Sequence, residues 1–276
     1  MTPRRARVYK TECMVLARRA VGEADNILTV FSIDRGRFDA VARGVRKLKS
    51  RMGGHLEPLT RARVLIAQGR SLDVFSQAET VAVYRHILRD LDSYAAATHA
   101  AELVRRVAPE REPLPDLYKL LVALLEELDA GARHSVLRAF EMRLLEGAGF
   151  GIQVGGCAGC GSEIPEEASF FSPGAGGILC SGCRGSGEAG RLLSVRALKV
   201  LRFATRASFA EFAAVRMDQE LEHEVGVAVT DALSFALDAE TRSSRFMTQL
   251  DSLRRRLGDS NGEPASGDRG PRMPGG

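Results

Sequence analysis

Four of the five cysteines fall in two pairs, Cys157-Ala-Gly-Cys160 and Cys180-Ser-Gly-Cys183, with nineteen residues between them. Two residues inside each pair let one tight knuckle offer two sulfurs to a single ion. Tetrahedral Zn²⁺ takes four such thiolates at about 2.3 Å. Gly159, Gly161 and Gly182 supply backbone freedom for the knuckles. Four protein thiolates fill the coordination sphere and leave no position for an activated water. The expected role is therefore structural: one Zn²⁺ held by Cys157, Cys160, Cys180 and Cys183. The nineteen residues between the pairs fit a small hairpin through Phe170-Phe171, Pro173, a turn over Gly174-Ala-Gly-Gly177, and Ile178-Leu179. Cys13, inside an expected strand, reads as a small buried hydrophobe.

The second chemistry-bearing feature is positive charge. Thirty-nine Lys and Arg against thirty-five Asp and Glu give only +4 overall, but the distribution is uneven. Between positions 35 and 70 stand Arg35, Arg37, Arg43, Arg46, Lys47, Lys49, Arg51, Arg61, Arg63 and Arg70, opposed there only by Asp39 and Glu57. Arg4, Arg5, Arg7 and Lys10 extend the excess to the start of the chain. Lys and Arg neutralise phosphates and release counterions, which gives affinity without sequence preference. Aromatic platforms for stacked bases are few. Tyr9, Phe31, Phe38 and Phe75 are the candidates, several of them expected in the core, and there is no Trp. Backbone-dominated binding is the expectation. The acidic stretch Asp218–Glu224 reads instead as the favourable first turn of a helix.

Signatures of catalysis are missing. Gly44-Val-Arg-Lys-Leu-Lys-Ser50 has the basic and hydroxyl residues of a phosphate loop but not its glycine spacing. His55, His86, His99, His134 and His223 are scattered without triad-like or metal-like spacing, and Glu126-Glu127 and Glu166-Glu167 read as solvated surface. The basic N-terminus leads into no hydrophobic signal region, and no apolar run is long enough for a membrane helix. A cytosolic protein is expected.

These residues need elements to position them. Val8–Leu16, Asn26–Ile33, Phe38–Ala42, Leu59–Ala67 and Leu72–Val81 read as five short strands separated by turn signals, a small barrel. An OB-fold fits, although strand count alone does not separate it from an SH3-like barrel. From about residue 83 the period becomes helical. Leu117, Leu120, Leu121, Leu124, Leu125 and Leu128 form one stripe behind Pro115, and Leu137, Phe140, Leu144 and Leu145 form another, ending at Gly147-Ala-Gly149. Ser194 can cap a helix, Ser208-x-x-Glu211 matches a capping box, and two more stripes run through Val225–Leu237 and Phe246–Leu257. The last residues, 258–276, have the composition of a disordered tail.

Four stretches together resemble the RecO family of bacterial DNA repair proteins. They are Tyr9-Lys-Thr-Glu-Cys-Met-Val-Leu16 leading to Gly22-Glu-Ala-Asp25; Gly36-Arg-Phe with Ala42-Arg-Gly44 and Lys49-Ser-Arg51; Leu56-Glu-Pro-Leu59; and Phe171-Ser-Pro with Gly177, Cys180 and Cys183. The resemblance implies an α+β chain. Its parts would be an OB-fold over 1–82, a helical domain over 83–152 and 191–257, a zinc ribbon inserted over 153–190, and the tail. It implies binding of single- and double-stranded DNA, annealing of complementary strands, and action with RecR to load RecA onto DNA coated by single-stranded DNA-binding protein. That protein's acidic C-terminal tail would dock on the helical domain, at a site no linear motif marks. The resemblance implies no catalytic centre, a cytoplasmic and nucleoid-associated location, and DNA contacts at Arg35, Arg37, Arg43, Arg46, Lys47, Lys49 and Arg51. The alternative is a zinc-ribbon OB protein that binds RNA in transcription or translation. A third reading is a scaffold whose basic strip meets an acidic partner.

Overall fold

Alternating burial along β3 (Gly36–Ala42) points Phe38, Ala40 and Ala42 inward and the residues between them outward. The same logic organises β1 (Val8–Val21), β2 (Asp25–Ser32), β4 (Arg61–Ala67) and β5 (Asp73–Ala82). In the computed structural model, which describes residues 8–185 and 187–237, these strands close a barrel in the order β1-β2-β3-β5-β4. This is the OB-type arrangement, and it decides between the two barrels left open by strand count. Inside lie Cys13, Val15, Leu28, Val30, Phe38, Val64, Ile66 and Phe75. Burial pushes the Cys13 thiol up to about 12, so it is inert packing material.

β1 is longer than its expected end at Leu16. After a bulge between Val15 and Ala17 it continues, paired to β2, as far as Val21. The sequence concealed this because Arg18, Arg19 and Ala20 are all exposed; with solvent on both faces there is no alternation to read.

The barrel seam between β3 and β5 is narrow, a parallel contact of Ala40 and Val41 with Asp73 and Val74. The chain at Glu110 bridges to Arg37 and covers the rest of that edge of β3. Gly36 permits this. Its φ is +66°, and a Cβ there would stand 1.9 Å from the Glu112 carbonyl oxygen.

The helical part begins at α1 (Leu91–Val107), whose buried face is mostly alanine. α2 (Pro115–Asp129) follows, with Pro115 in its first turn and Leu121, Leu124, Leu125 and Leu128 buried; then comes α3 (Leu137–Gly147). A three-stranded sheet intervenes, β6 (Ser169–Ser172), β7 (Gly177–Leu179) and β8 (Arg191–Leu193), in the order β7-β6-β8. α4 (Val195–Ala204), α5 (Phe209–Ala213) and α6 (Gln219–Leu237) complete it. The Ser194 hydroxyl accepts from the Ala197 N–H, and the Ser208–Glu211 capping box forms. The stripe expected over Phe246–Leu257 and the tail lie outside the described residues.

The parts share one core. Met14, Leu16 and Phe31, on the outer face of the barrel, pack with α1 and α2; the Phe31 and Tyr118 rings lie 5.9 Å apart. Cys157, Phe171, Ile178 and Leu193 join the same cluster from the cysteine-bearing segment. Each such large side chain contributes about 1.5–3 kcal/mol on full burial, so the contact fastens the barrel to the helices.

Candidate nucleic-acid interface and metal centre

The seven basic residues singled out in the sequence divide between the two ends of β3. At the Gly36 end, the Arg35 guanidinium lies 3.9 Å over the Tyr9 ring. The Tyr9 hydroxyl donates to Asp73 at 2.8 Å, and Asp73 also accepts from Arg111 at 3.2 Å. Burial, reinforced by the Asp73 hydrogen bond, raises the Tyr9 phenol well above its ordinary value. Arg37 Nε donates to the Ala108 carbonyl at 2.8 Å, and the Arg37 carbonyl accepts from the Arg111 N–H at 2.8 Å. Both arginines are half-buried; Arg37 holds the chain at 108–111 against the barrel, and Arg35 lies on Tyr9.

At the Ala42 end, about 20 Å along the strand, Arg43, Arg46, Lys47, Lys49 and Arg51 are all exposed on one loop. Its root is fastened. The Gly44 N–H donates to Asp25 Oδ1 at 2.7 Å and the Arg46 N–H to the Ala24 carbonyl at 2.9 Å. Val45 is buried in the barrel. The loop therefore lies beside the β1–β2 turn, whose Gly22 carbonyl also accepts from Arg46 Nη1 at 3.3 Å. In OB barrels, strands 2 and 3 with the loop after strand 1 are the usual oligonucleotide surface.

Two cations escaped the sequence reading. Arg19 pairs with Ile27 and Ile27 with Val41, so the β1 extension brings Arg18 and Arg19 within two strand spacings, about 10 Å, of the end of β3. Arg18 is ion-paired with Glu57, and Arg19 is exposed. Their signal would have been continued pairing beyond Leu16. The barrel aromatics are all engaged: Phe31, Phe38 and Phe75 are buried, and Tyr9 is covered by Arg35.

The four paired cysteines converge, with all four Sγ atoms within 4.8 Å of one another. A tetrahedron with 2.3 Å bonds has edges of about 3.8 Å, and Cys160 and Cys180 Sγ stand 3.8 Å apart. The Cys180 N–H donates to Cys157 Sγ at 3.3 Å. That bond and one from the Cys160 N–H lower the Cys157 thiol to about 6. The neighbouring sulfurs of Cys160, Cys180 and Cys157 push Cys183 up to about 12. Four thiolates this close cannot all ionise without a cation among them, and the donor set fits one thiophilic metal ion. Gly161 has φ +75°, and a Cβ on Gly159 would press on Cys183 at 3.1 Å. Gly182 has no such constraint. The expected hairpin is present as the antiparallel β6–β7 pair.

One further polar constellation went unread. His99 Nε2 lies 2.9 Å from Glu141 Oε1, and Arg138 Nη1 donates to Glu141 Oε2 at 2.7 Å, buried between α1 and α3. Forty-two positions separate His99 from Glu141, so spacing could not reveal it.

Comparison with known proteins bears on the whole chain. A family model described as Recombination protein O N terminal matches residues 6–84, and one described as Recombination protein O C terminal matches residues 88–245. The chain belongs to the RecO family. RecO relatives include the DNA repair protein RecO of Roseiflexus sp. (strain RS-1), 35% identical over 263 residues, 95% of this chain and 91% of the relative. That of Dehalococcoides mccartyi (strain CBDB1) is 32% identical over 247 residues, 89% and 96% of the two chains. That of Geobacter sulfurreducens is 34% identical over 242 residues, 87% and 98%. The RecO match thus takes in the barrel, the helices and all four paired cysteines. Among the described residues, no helix is long and apolar enough to cross a membrane.

Proposed function

We propose that this RecO-family chain is a non-enzymatic mediator of recombinational DNA repair that grips single- and double-stranded DNA through its barrel and anneals complementary strands. The observation that carries the reading is the set of five exposed cations, Arg43, Arg46, Lys47, Lys49 and Arg51, on one anchored loop beside the β1–β2 turn. Two strands repel through their phosphates. A cationic face that ignores sequence holds both while base pairing supplies the specificity. Arg35 and Arg37, turned to intramolecular partners, have the weaker claim to DNA contact.

The cysteine quartet holds one structural Zn²⁺ in this reading, because four closed thiolates suit that ion and leave it no catalytic position. Family membership supports the remaining partners: RecR, the acidic tail of single-stranded DNA-binding protein, and through them RecA.

The test is annealing of complementary oligonucleotides followed by fluorescence, without nucleotide, across a salt series. If the five cations each neutralise one phosphate, log affinity for single strands falls with log salt at a slope of about −3.5. Replacing Arg46, Lys47 and Lys49 together with Glu should weaken binding more than about tenfold and slow annealing. The thermal midpoint should hardly move, since all three side chains are exposed. Equal loss of folding, or a slope near zero, would remove the proposal. Stronger binding to RNA than to DNA of equal length would redirect it to the transcription or translation reading.

A further inference from the structure

Leu48 stands in the middle of the basic loop with relative exposure of 106%, more open than any other large apolar side chain among the described residues. Isolated surface leucines are ordinary, but this one has two unusual features. The first is its mounting. The Ser50 N–H donates to the Lys47 carbonyl at 2.9 Å, which makes Leu48 and Lys49 the two central residues of a tight turn. The Lys47 N–H is bonded in turn to the Gly44 carbonyl at 3.1 Å, Val45 is sunk in the barrel, and Met52 packs on the same core. The apolar tip is therefore held out by backbone hydrogen bonds, with buried Val45 on one side of it and partly buried Met52 on the other.

The second feature is its company. Arg46, Lys47, Lys49 and Arg51 flank it, all exposed. Any polyanion drawn to those four cations brings whatever it carries beside its phosphates onto Leu48. On single-stranded DNA that is a row of base faces. The rings that would ordinarily receive them are engaged elsewhere, three buried and one beneath Arg35.

We infer that Leu48 is an apolar base contact, seated against or between the unstacked bases of a single strand while the neighbouring cations hold its backbone. Aliphatic side chains wedge between base steps even of duplexes in other complexes, at an unstacking cost of about a few kcal/mol per step that a single strand does not carry. In an intact duplex the base faces are already stacked on one another, so the contact favours single strands. This inference rests on the DNA-binding reading and adds to it the part of the ligand that the exposed loop recognises.

The test compares a base-bearing single strand with an abasic strand of equal length, bound by the full chain and by its Leu48→Ala variant. The parent should prefer the base-bearing strand by about fivefold, the lower end of what a base stacked on an aromatic ring contributes, because a leucine covers less of the base face. Leu48→Ala should bind both strands equally, with an unchanged salt slope and unchanged duplex affinity. The chain has no Trp, so Leu48→Trp provides the sole indole, and its emission should be quenched by the base-bearing strand alone. A Leu48→Ala variant that keeps the parent's preference, or an indole equally quenched by the abasic strand, overturns the inference. If the parent binds and the triple Glu variant does not, that failure leaves the DNA-binding reading intact. If the parent binds neither strand at low salt, both fall together.

Discussion

Glu141 is fully buried between His99 and Arg138, each within hydrogen-bonding distance of a different carboxylate oxygen. A buried carboxylate in this position is tolerable only because both oxygens are satisfied. Glu141→Ala would take its carboxylate partner from a guanidinium largely out of solvent and one contact from the buried His99, and should cost about 3–5 kcal/mol. Urea denaturation would read this as a lower midpoint at unchanged slope. A loss below about 1 kcal/mol would show that water reaches the site and takes over the partners. The contrast with the basic loop is instructive at the same scale. Arg138 and Arg37 are anchored to protein atoms, whereas Arg43 and Lys49 point into solvent, and only the second kind is available to a phosphate.

Helix starts carry a separate, pH-dependent part of the stability. Asp90 accepts from the Ser93 N–H at 2.8 Å at the start of α1, and Asp218 accepts from the Leu221 N–H at 2.9 Å at the start of α6. Glu211 closes the capping box of α5. These backbone hydrogen bonds favour the ionised carboxylates and hold all three below their ordinary values. A folded-state value below the unfolded one means a contribution fully present above about pH 4 and lost as pH falls through the lower folded value. The thermal midpoint should therefore drop on acidification below about pH 4. Asp90→Asn, which caps without titrating, should fall less steeply; a variant that tracks the parent would show that Asp90 contributes nothing to the acid limb. At neutral pH Asp90→Ala should cost about 1 kcal/mol. The acidic stretch Asp218–Glu224 is thus structural. Asp218 also pairs with Arg196 at 2.6 Å, and Glu224 accepts from the Ser194 N–H at 2.6 Å and hydroxyl at 2.7 Å.

Across the whole molecule, the shared core couples parts that the sequence shows in succession. Cys157, Phe171 and Ile178 belong to the same apolar cluster as the helices and the outer face of the barrel. Loss of the zinc proposed for the quartet should therefore loosen more than two knuckles. Elemental analysis of the parent should find one equivalent of zinc, and Cys183→Ser should bind none and melt at a lower temperature. The salt slope of DNA binding, measured below that temperature, should stay the same, because the basic loop takes its anchors from Ala24, Asp25 and the barrel core. A Cys183→Ser variant that melts with the parent would remove the metal from the account of the fold.

What the sequence determined by itself is short-ranged. The cysteine knuckles, the Ser208–Glu211 box, the Ser194 cap, the leucine stripe of α2 and the existence of five strands all depend on residues a few positions apart, where covalent geometry enforces proximity. The tertiary structure decided what depends on distant partners. It turned Arg37 toward Ala108, 71 positions away, laid Arg35 on Tyr9, joined His99 to Glu141, and extended β1 so that Arg18 and Arg19 approach the basic loop. A linear run of arginines records how much charge a segment carries. Which of those charges meet solvent is settled only when the elements pack, because the same long side chain satisfies a carbonyl or a phosphate according to what lies within its reach.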